Sequence, residues 1–504
     1  MQNGNRGNLI KGVGIIVVAL GIFLLPTLLG AAPMPGGRAV FSVGVPPGLT
    51  GEAWLYFSLF IGVVLGLILE PIPAALISFI GVVLAALLRV GAVPGHDGGI
   101  SAKDAVTWGL SGFSDSTVWL IFVAFMFAMG YDKTGLGKRI ALILVKYLGK
   151  STLGLGYAVT LADCVLAPFM PSNTARSGGT LFPIIRNIPI MFGSLPDKEP
   201  RKIGAYLVWV ALASTCVTSS LFYTGLAPNI LAGGILNSHG VTFSWSTWFL
   251  AMAPVGIPLL LLVPLLTYII YPPTMKKAGD APIWATEELA KMGGMSRREG
   301  TMLCLAFLAL AMWIWGGHAV DATVAALIVL MLMPLLGVVT WDDILGNKGA
   351  WNVLIWFGTL VTLAGGLNHV GFLEWFARNS AGLVAGFSPG VITIVLLVIF
   401  FASHYFFASV TAHVTALLAL FITTASGIAG VDMRQTALLL AMSLGLMGIV
   451  TPYGAGPSPI WYGSGYISPK AFWALGFIFG LLYLGTFLLI GVPWLGFLNP
   501  PLGG

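Results

Sequence analysis

Two five-residue stretches, Ser172-Asn173-Thr174-Ala175-Arg176 and Ser409-Val410-Thr411-Ala412-His413, sit in apolar surroundings and carry hydroxyls, one carboxamide and a basic side chain. A numbering offset of 237 aligns their Ser, Thr and Ala, sets Arg176 against His413, and also pairs Phe169 with Phe406 and Leu181 with Leu418. Hydroxyl and amide groups at a helix end add donors to backbone N–H groups that lack intrahelical partners, and the helix dipole favours carboxylate oxygens there. The same side chains offer acceptor oxygens, so a sodium ion is the other ligand such a loop could hold. A single copy could be an ordinary helix N-cap. Two matched copies suggest a duplicated binding loop of the kind that inverted-repeat transporters place near the bilayer midplane.

The elements that must carry these loops are membrane-spanning. Hydrophobic residues make up 57% of the chain and charged ones 8%, with a mean hydropathy of +0.95, a balance that excludes a water-facing surface. Runs able to cross about 30 Å of hydrocarbon fall near 9–30, 53–70, 72–93, 116–132, 203–236, 247–272, 300–317, 319–338, 352–368, 434–464 and 472–496. The stretches 152–190 and 389–428 are interrupted by the two motifs and read as re-entrant hairpins. The expected fold is therefore all-α and polytopic, with inverted-topology repeats, about 11 transmembrane helices and two re-entrant hairpins. Residues 1–50 form an uncleaved first helix and outer loop, 51–272 the first repeat, 273–299 a cytoplasmic linker and 300–496 the second repeat. Each repeat should also hold a broken helix: Thr224-Gly225-Leu226-Ala227-Pro228-Asn229 interrupts 203–236, and Thr451-Pro452-Tyr453-Gly454-Ala455-Gly456-Pro457-Ser458-Pro459 interrupts 434–464. Prolines and glycines at that density unwind a helix, which is tolerable at membrane depth only where the backbone lines a cavity.

Charge placement orients this drawing. With the N-terminus cytoplasmic, 18 of the 24 Lys and Arg residues fall on the cytoplasmic side, including the cluster Lys133, Lys138, Arg139, Lys146 and Lys150. Arg38, Arg89, Lys103, Arg378 and Arg434 fall outside, and Arg176 lies within the membrane. The first hairpin then opens to the cytoplasm and the second to the outside. The net charge of +6 reports this topology; the basic residues form no aromatic-laced stripe, so no nucleic-acid partner is expected. The charged linker, with Glu287, Glu288, Arg297 and Arg298, reads as a solvated loop. Cys164, Cys216 and Cys304 lack metal-ligand spacing, and no HExxH, GxSxG or Cys/His arrangement is present. Neither a catalytic residue, nor a metal, nor a cofactor is expected.

Pro171-Ser172-Asn173-Thr174-Ala175-Arg176-Ser177-Gly178-Gly179, Ser409-Val410-Thr411-Ala412-His413 and Thr451-Pro452-Tyr453-Gly454-Ala455-Gly456-Pro457 resemble the signatures of the divalent anion:sodium symporter (DASS) family. The resemblance runs from about residue 9 to 496 and is nearest the branch that exchanges citrate for succinate, tartrate for succinate and 2-oxoglutarate for malate. It implies an elevator-type transporter of the bacterial cytoplasmic membrane and a homodimer embedded in the lipid bilayer, moving small carboxylate anions. It also implies that Ser172, Asn173, Thr174, Ser409, Val410, Thr411, Thr451, Pro452, Thr224 and Gly225 surround the substrate. The chain departs from sodium-coupled members at Val410, where they carry a second Asn, and this puts the second sodium site in question.

Arg176 and His413, each four residues after the motif serine, are candidates for charge compensation. Moving an unpaired dianion through hydrocarbon costs tens of kcal/mol by simple Born estimates. Mobile sodium neutralises it in a symporter, whereas fixed positive charge would do so permanently and make the empty carrier reluctant to cross. That reasoning favours sodium-independent antiport, with a sodium-coupled dicarboxylate symporter as the alternative. Each residue also has a purely structural reading: Arg176 paired with Asp163 on the opposite hairpin arm, and His413 packed as a neutral ring.

Overall fold

A computed structural model of the chain describes residues 2–29, 44–93, 99–315, 320–381 and 386–498; Arg38 and most of the expected outer loop lie outside the described residues. Among those described, the protein is a bundle of helices with no strand beyond one isolated bridge, Ser151 to Lys277. Among the described residues, nine helices are long and apolar enough to cross a membrane, or ten if Ala102–Ser114 and Ser116–Thr134, bent by 44°, form one span. The expected eleven differ for physical reasons. Ala74–Leu88 and Ala322–Leu335, at 15 and 14 residues, are too short to cross unaided, and the last broken helix is divided into pieces. Two of the nine, Thr152–Phe169 and Pro389–Phe406, are hairpin arms.

The repeat is visible residue by residue. The first arms, Thr152–Leu166 and Pro389–Ser403, end in single 3-10 turns, Ala167–Phe169 and His404–Phe406, and all four bounds keep the 237-residue offset of the motifs. The chain then crosses a short extended tip, and the return arms carry π-helical stretches at Thr174–Leu181 and Val414–Leu418. Such wide turns free backbone groups and concentrate at functional sites. The first broken helix runs Gly204–Leu221, a turn at Tyr223–Gly225, and Ala227–Ser238. At this break the Asn229 Nδ2 donates to the carbonyls of Ser219 (2.6 Å) and Phe222 (3.2 Å), replacing lost helix partners. The second break, between Met447 and Ser458, is wider.

Local signals explain the other boundaries. Asp115 accepts from the Thr117 and Val118 amides to start Ser116–Thr134, and Gly135, at φ +78, ends it in the left-handed region that suits glycine. The linker is not a solvated loop. Its start is stitched to the base of the first hairpin through Thr152 N to Lys276 O (3.1 Å) and Ala278 N to Lys150 O (3.0 Å). Its helix, Asp280–Met292, packs on Leu136–Leu148, where Glu288 accepts from Lys138. The nearby buried pair Arg139–Glu299 (2.6 Å) adds a further tie. Lys133, Lys138, Arg139, Lys150, Arg201, Lys202 and Lys276, all assigned above to one face, thus meet on connected elements.

Candidate functional site

Both hairpin tips line one cavity of about 190 Å³. Ser172, Asn173 and Thr174 come from the first tip, and Ser409, Val410 and Thr411 from the second. Leu226, Ala227 and Pro228 of the first break and Gly456 of the second complete that side. The rest of the lining is Phe125 together with Val353, Trp356 and Phe357 of the helix Lys348–His369, which packs on Ala74–Leu88 and Ser116–Thr134. The volume lies below the ~300–1,000 Å³ of drug-sized clefts, so it suits a small molecule.

The tips are fixed from behind and unsatisfied in front. The Ala227 amide donates to the Pro171 carbonyl (2.8 Å), docking the first tip on the first break. Ser172 Oγ accepts from the Ala175 amide (3.2 Å), which leaves its own proton free to donate. The Asn173 carboxamide and the hydroxyls of Thr174, Ser409 and Thr411 donate no hydrogen bond to any described residue. Gly456 is needed for close approach: a Cβ there would stand 1.8 Å from Thr174 Oγ1. These convergent donors can hold carboxylate oxygens, and no acidic side chain lines the cavity to oppose them.

Arg176 is not in the cavity. It is fully buried, and its Nε donates to Asp163 Oδ1 (3.2 Å). Its Nη1 donates to the carbonyls of Met170 (2.6 Å) and Gly225 (2.8 Å), and its Nη2 to the hydroxyls of Thr218 (3.3 Å) and Ser219 (3.2 Å). All five guanidinium donors are thus taken. Asp163 in turn accepts from Thr215 (2.8 Å) and Thr218. The structural reading of Arg176 is the one observed: a side chain with its charge matched by Asp163 supplies no free positive charge to a substrate. His413 is likewise buried away from the cavity, between Phe400 and Phe407. Its Nδ1 lies 2.9 Å from His404 Nδ1, and His404 Nε2 lies 2.8 Å from the Gly454 carbonyl, so the ring joins the second hairpin to the second break.

Four other expected contact residues stand behind the wall. Thr224 donates to the Pro168 carbonyl (2.6 Å) and accepts from Trp245 Nε1 (3.0 Å), and Gly225 offers its carbonyl to Arg176. Thr451 is buried with its hydroxyl unpartnered, and neither it nor Pro452 lines the cavity. The residues that line it instead, Leu226, Ala227, Pro228 and Gly456, are one to five positions further along the same breaks. Density of Pro and Gly located both breaks, but which residue of an unwound segment turns inward is decided by tertiary packing. Phe125, Val353, Trp356 and Phe357 carried no local signal. Phe125 also lines an opening of about 450 Å³ with Asp132, Lys133, Asp343 and Asn347. There the hydrogen bond from Lys133 holds the Asp343 carboxyl down to about 2, below the usual carboxylate range.

The chain is 45% identical over 475 residues to the citrate/succinate antiporter of Escherichia coli strain K12, covering 93% of this chain and 98% of that one. It is also 45% identical over 474 residues to the L-tartrate/succinate antiporter of Escherichia coli O6:K15:H31, covering 92% and 97%. In fold it is similar to the crystal structure of the Alcanivorax borkumensis YdaH transporter, with a TM-score of 0.56 and 16% identity over 84% of this chain and 99% of that one. The family profile described as the sodium:sulfate symporter transmembrane region matches residues 33–499. With its paired hairpins, its broken helices and that match, the chain belongs to this family of multi-pass membrane transport proteins, the divalent anion:sodium symporters.

Proposed function

We propose that this protein exchanges di- or tricarboxylates of the succinate, malate, 2-oxoglutarate, citrate or tartrate class across the bacterial cytoplasmic membrane without sodium. The observation that carries the reading is the single cavity in which both copies of the motif present unpaired donors. The names of the relatives, antiporters of citrate or tartrate against succinate, support the substrate class. Obligate exchange follows from those donors rather than from Arg176. A donor that leaves water without gaining a partner costs about 1–3 kcal/mol, so a site whose half-exposed tip groups are stripped of water while empty resists the crossing that a carboxylate-filled one can make. In this reading the hairpins move as an elevator against a dimeric scaffold, the N-terminus is cytoplasmic, and the two hairpins open to opposite sides.

A sodium-coupled symporter of the same fold is the second reading, and Asn173 with the tip hydroxyls is what favours it. Val410 disfavours it, because the repeat-related position of Asn173 then offers no side-chain oxygen. The site is tested by Thr174→Val and Thr411→Val, which keep side-chain shape and remove one hydroxyl each. Each should raise the KM for succinate about tenfold or more while leaving expression and the gel-filtration profile unchanged. Normal transport by both variants would remove the hairpin tips from the site.

A further inference from the structure

We infer that an acyl chain of a bilayer phospholipid lies in a second, apolar cavity between the first hairpin arm and the helix Arg297–Trp315, with its headgroup in the polar cavity next to it. The apolar cavity measures about 570 Å³ and takes Val165 and Phe169 from the hairpin arm and Leu303, Phe307, Leu310 and Ile314 from the helix. Those last four recur at steps of three and four, so a single helix face forms the wall. From Leu303 to Ile314 that face runs about 16 Å at ~1.5 Å per residue, which matches one leaflet of a hydrocarbon core about 30 Å thick. Phe307 (60% exposed), Leu250 (53%) and Val165 (47%) stand at its edge, on helices long and apolar enough to cross a membrane, so its mouth faces lipid. No charged side chain lines it, and its polar groups are nearly all spent. Trp245 Nε1 donates to Thr224 Oγ1 (3.0 Å) and Ser246 Oγ lies 2.9 Å from Ser244 Oγ, which leaves only the hydroxyl of Tyr131. A carboxylate would lose water there without gaining partners, whereas a hydrocarbon chain restores the dispersion contacts that an empty gap forfeits. Trp245, Ser246 and Ile314 also line the neighbouring cavity of about 600 Å³, whose walls include Ser116, Ser244, Thr247, Asp321 and Thr323. The apolar cavity ends away from these groups, at Leu303 and Tyr131; on the helix Ser116–Thr134, Tyr131 stands about 22 Å from Ser116. Apolar length and polar end thus follow one another as they do in a phospholipid.

The test is photolabelling of the purified protein in vesicles of phosphatidylethanolamine and phosphatidylglycerol that contain a trace of phospholipid with a diazirine at the end of one acyl chain. Adducts are mapped by peptide mass spectrometry without substrate, so the outcome is independent of the carboxylate site. A chain in the cleft touches protein on several sides and an ordinary boundary chain on one, so label on residues 165–169 and 303–314 should exceed that on the exposed Phe477 and Leu481 of the helix Pro469–Thr486 by about fivefold or more. Ala306→Trp drives an indole into the cleft and should bring the excess down to the level of Phe477 and Leu481, with label on those two unchanged. If Ala306→Trp does not fold, Leu310→Trp, at a half-buried position of the same wall, takes its place. Equal labelling of the cleft and the control helix, or an excess that survives the filled cleft, overturns the inference. So does chain-end label concentrated at Ile314 rather than at Leu303 and Phe169, because head and tail would then be reversed.

Discussion

Arg176 shows how far residue type can mislead about role. An arginine beside a duplicated anion motif in a membrane suggests a substrate counter-charge, yet Asp163, two hydroxyls and two carbonyls consume every donor it has. Asp163 lies only thirteen residues earlier, so the pair was legible as a possibility, but the Gly225, Thr218 and Ser219 partners come from another helix and were not. The consequence is a stability prediction. Arg176→Met leaves Asp163 as a buried carboxylate without its cation, which costs about 3–5 kcal/mol, so the protein should accumulate poorly and melt at markedly lower temperature. A variant that melts like wild type and has lost only exchange would restore Arg176 to charge compensation.

The elements were more legible than the residues facing the cavity. One offset, taken from a handful of matched side chains, reproduces the bounds of both first hairpin arms and both 3-10 turns, because duplicated sequence keeps duplicated local structure. The π-helical return arms had no such signature, and the short helices Leu136–Leu148 and Asp280–Met292 were hidden by being neither apolar enough nor long enough to read as spans. Where the elements meet, Gly456 permits the second break to touch the first tip. In Gly456→Ala the new methyl displaces the Thr174 hydroxyl, since Oγ1 is the atom it would strike. The KM for succinate should rise about tenfold or more, as expected for loss of a charge-assisted bond. Added to Thr174→Val, the same change should cost little further, because both remove one interaction. Full additivity of the two would show that Gly456 acts elsewhere.

At the scale of the whole molecule, the account requires the two hairpins to open to opposite sides. With native Cys164, Cys216 and Cys304 replaced, cysteine at the exposed Asp197 should react with an impermeant maleimide from the cytoplasm, and at the exposed Ser426 from outside. Reaction of both from one side would contradict the inverted arrangement. The shared wall at Phe125, between the binding cavity and the opening lined by Asp132, Lys133 and Asp343, fits a path from the site toward the basic face that the proposed topology makes cytoplasmic. Cross-repeat contacts of this kind join residues hundreds of positions apart, such as Thr174 and Gly456, and no periodicity in the sequence encodes them.

The central claim is exchange without sodium, and purified protein in liposomes tests it most directly. Labelled succinate should enter only vesicles preloaded with a transported acid such as citrate, tartrate or succinate, and replacing external sodium by potassium or choline should leave the rate within about twofold. Strong sodium-driven uptake into empty vesicles would contradict the account and establish the symporter reading in its place.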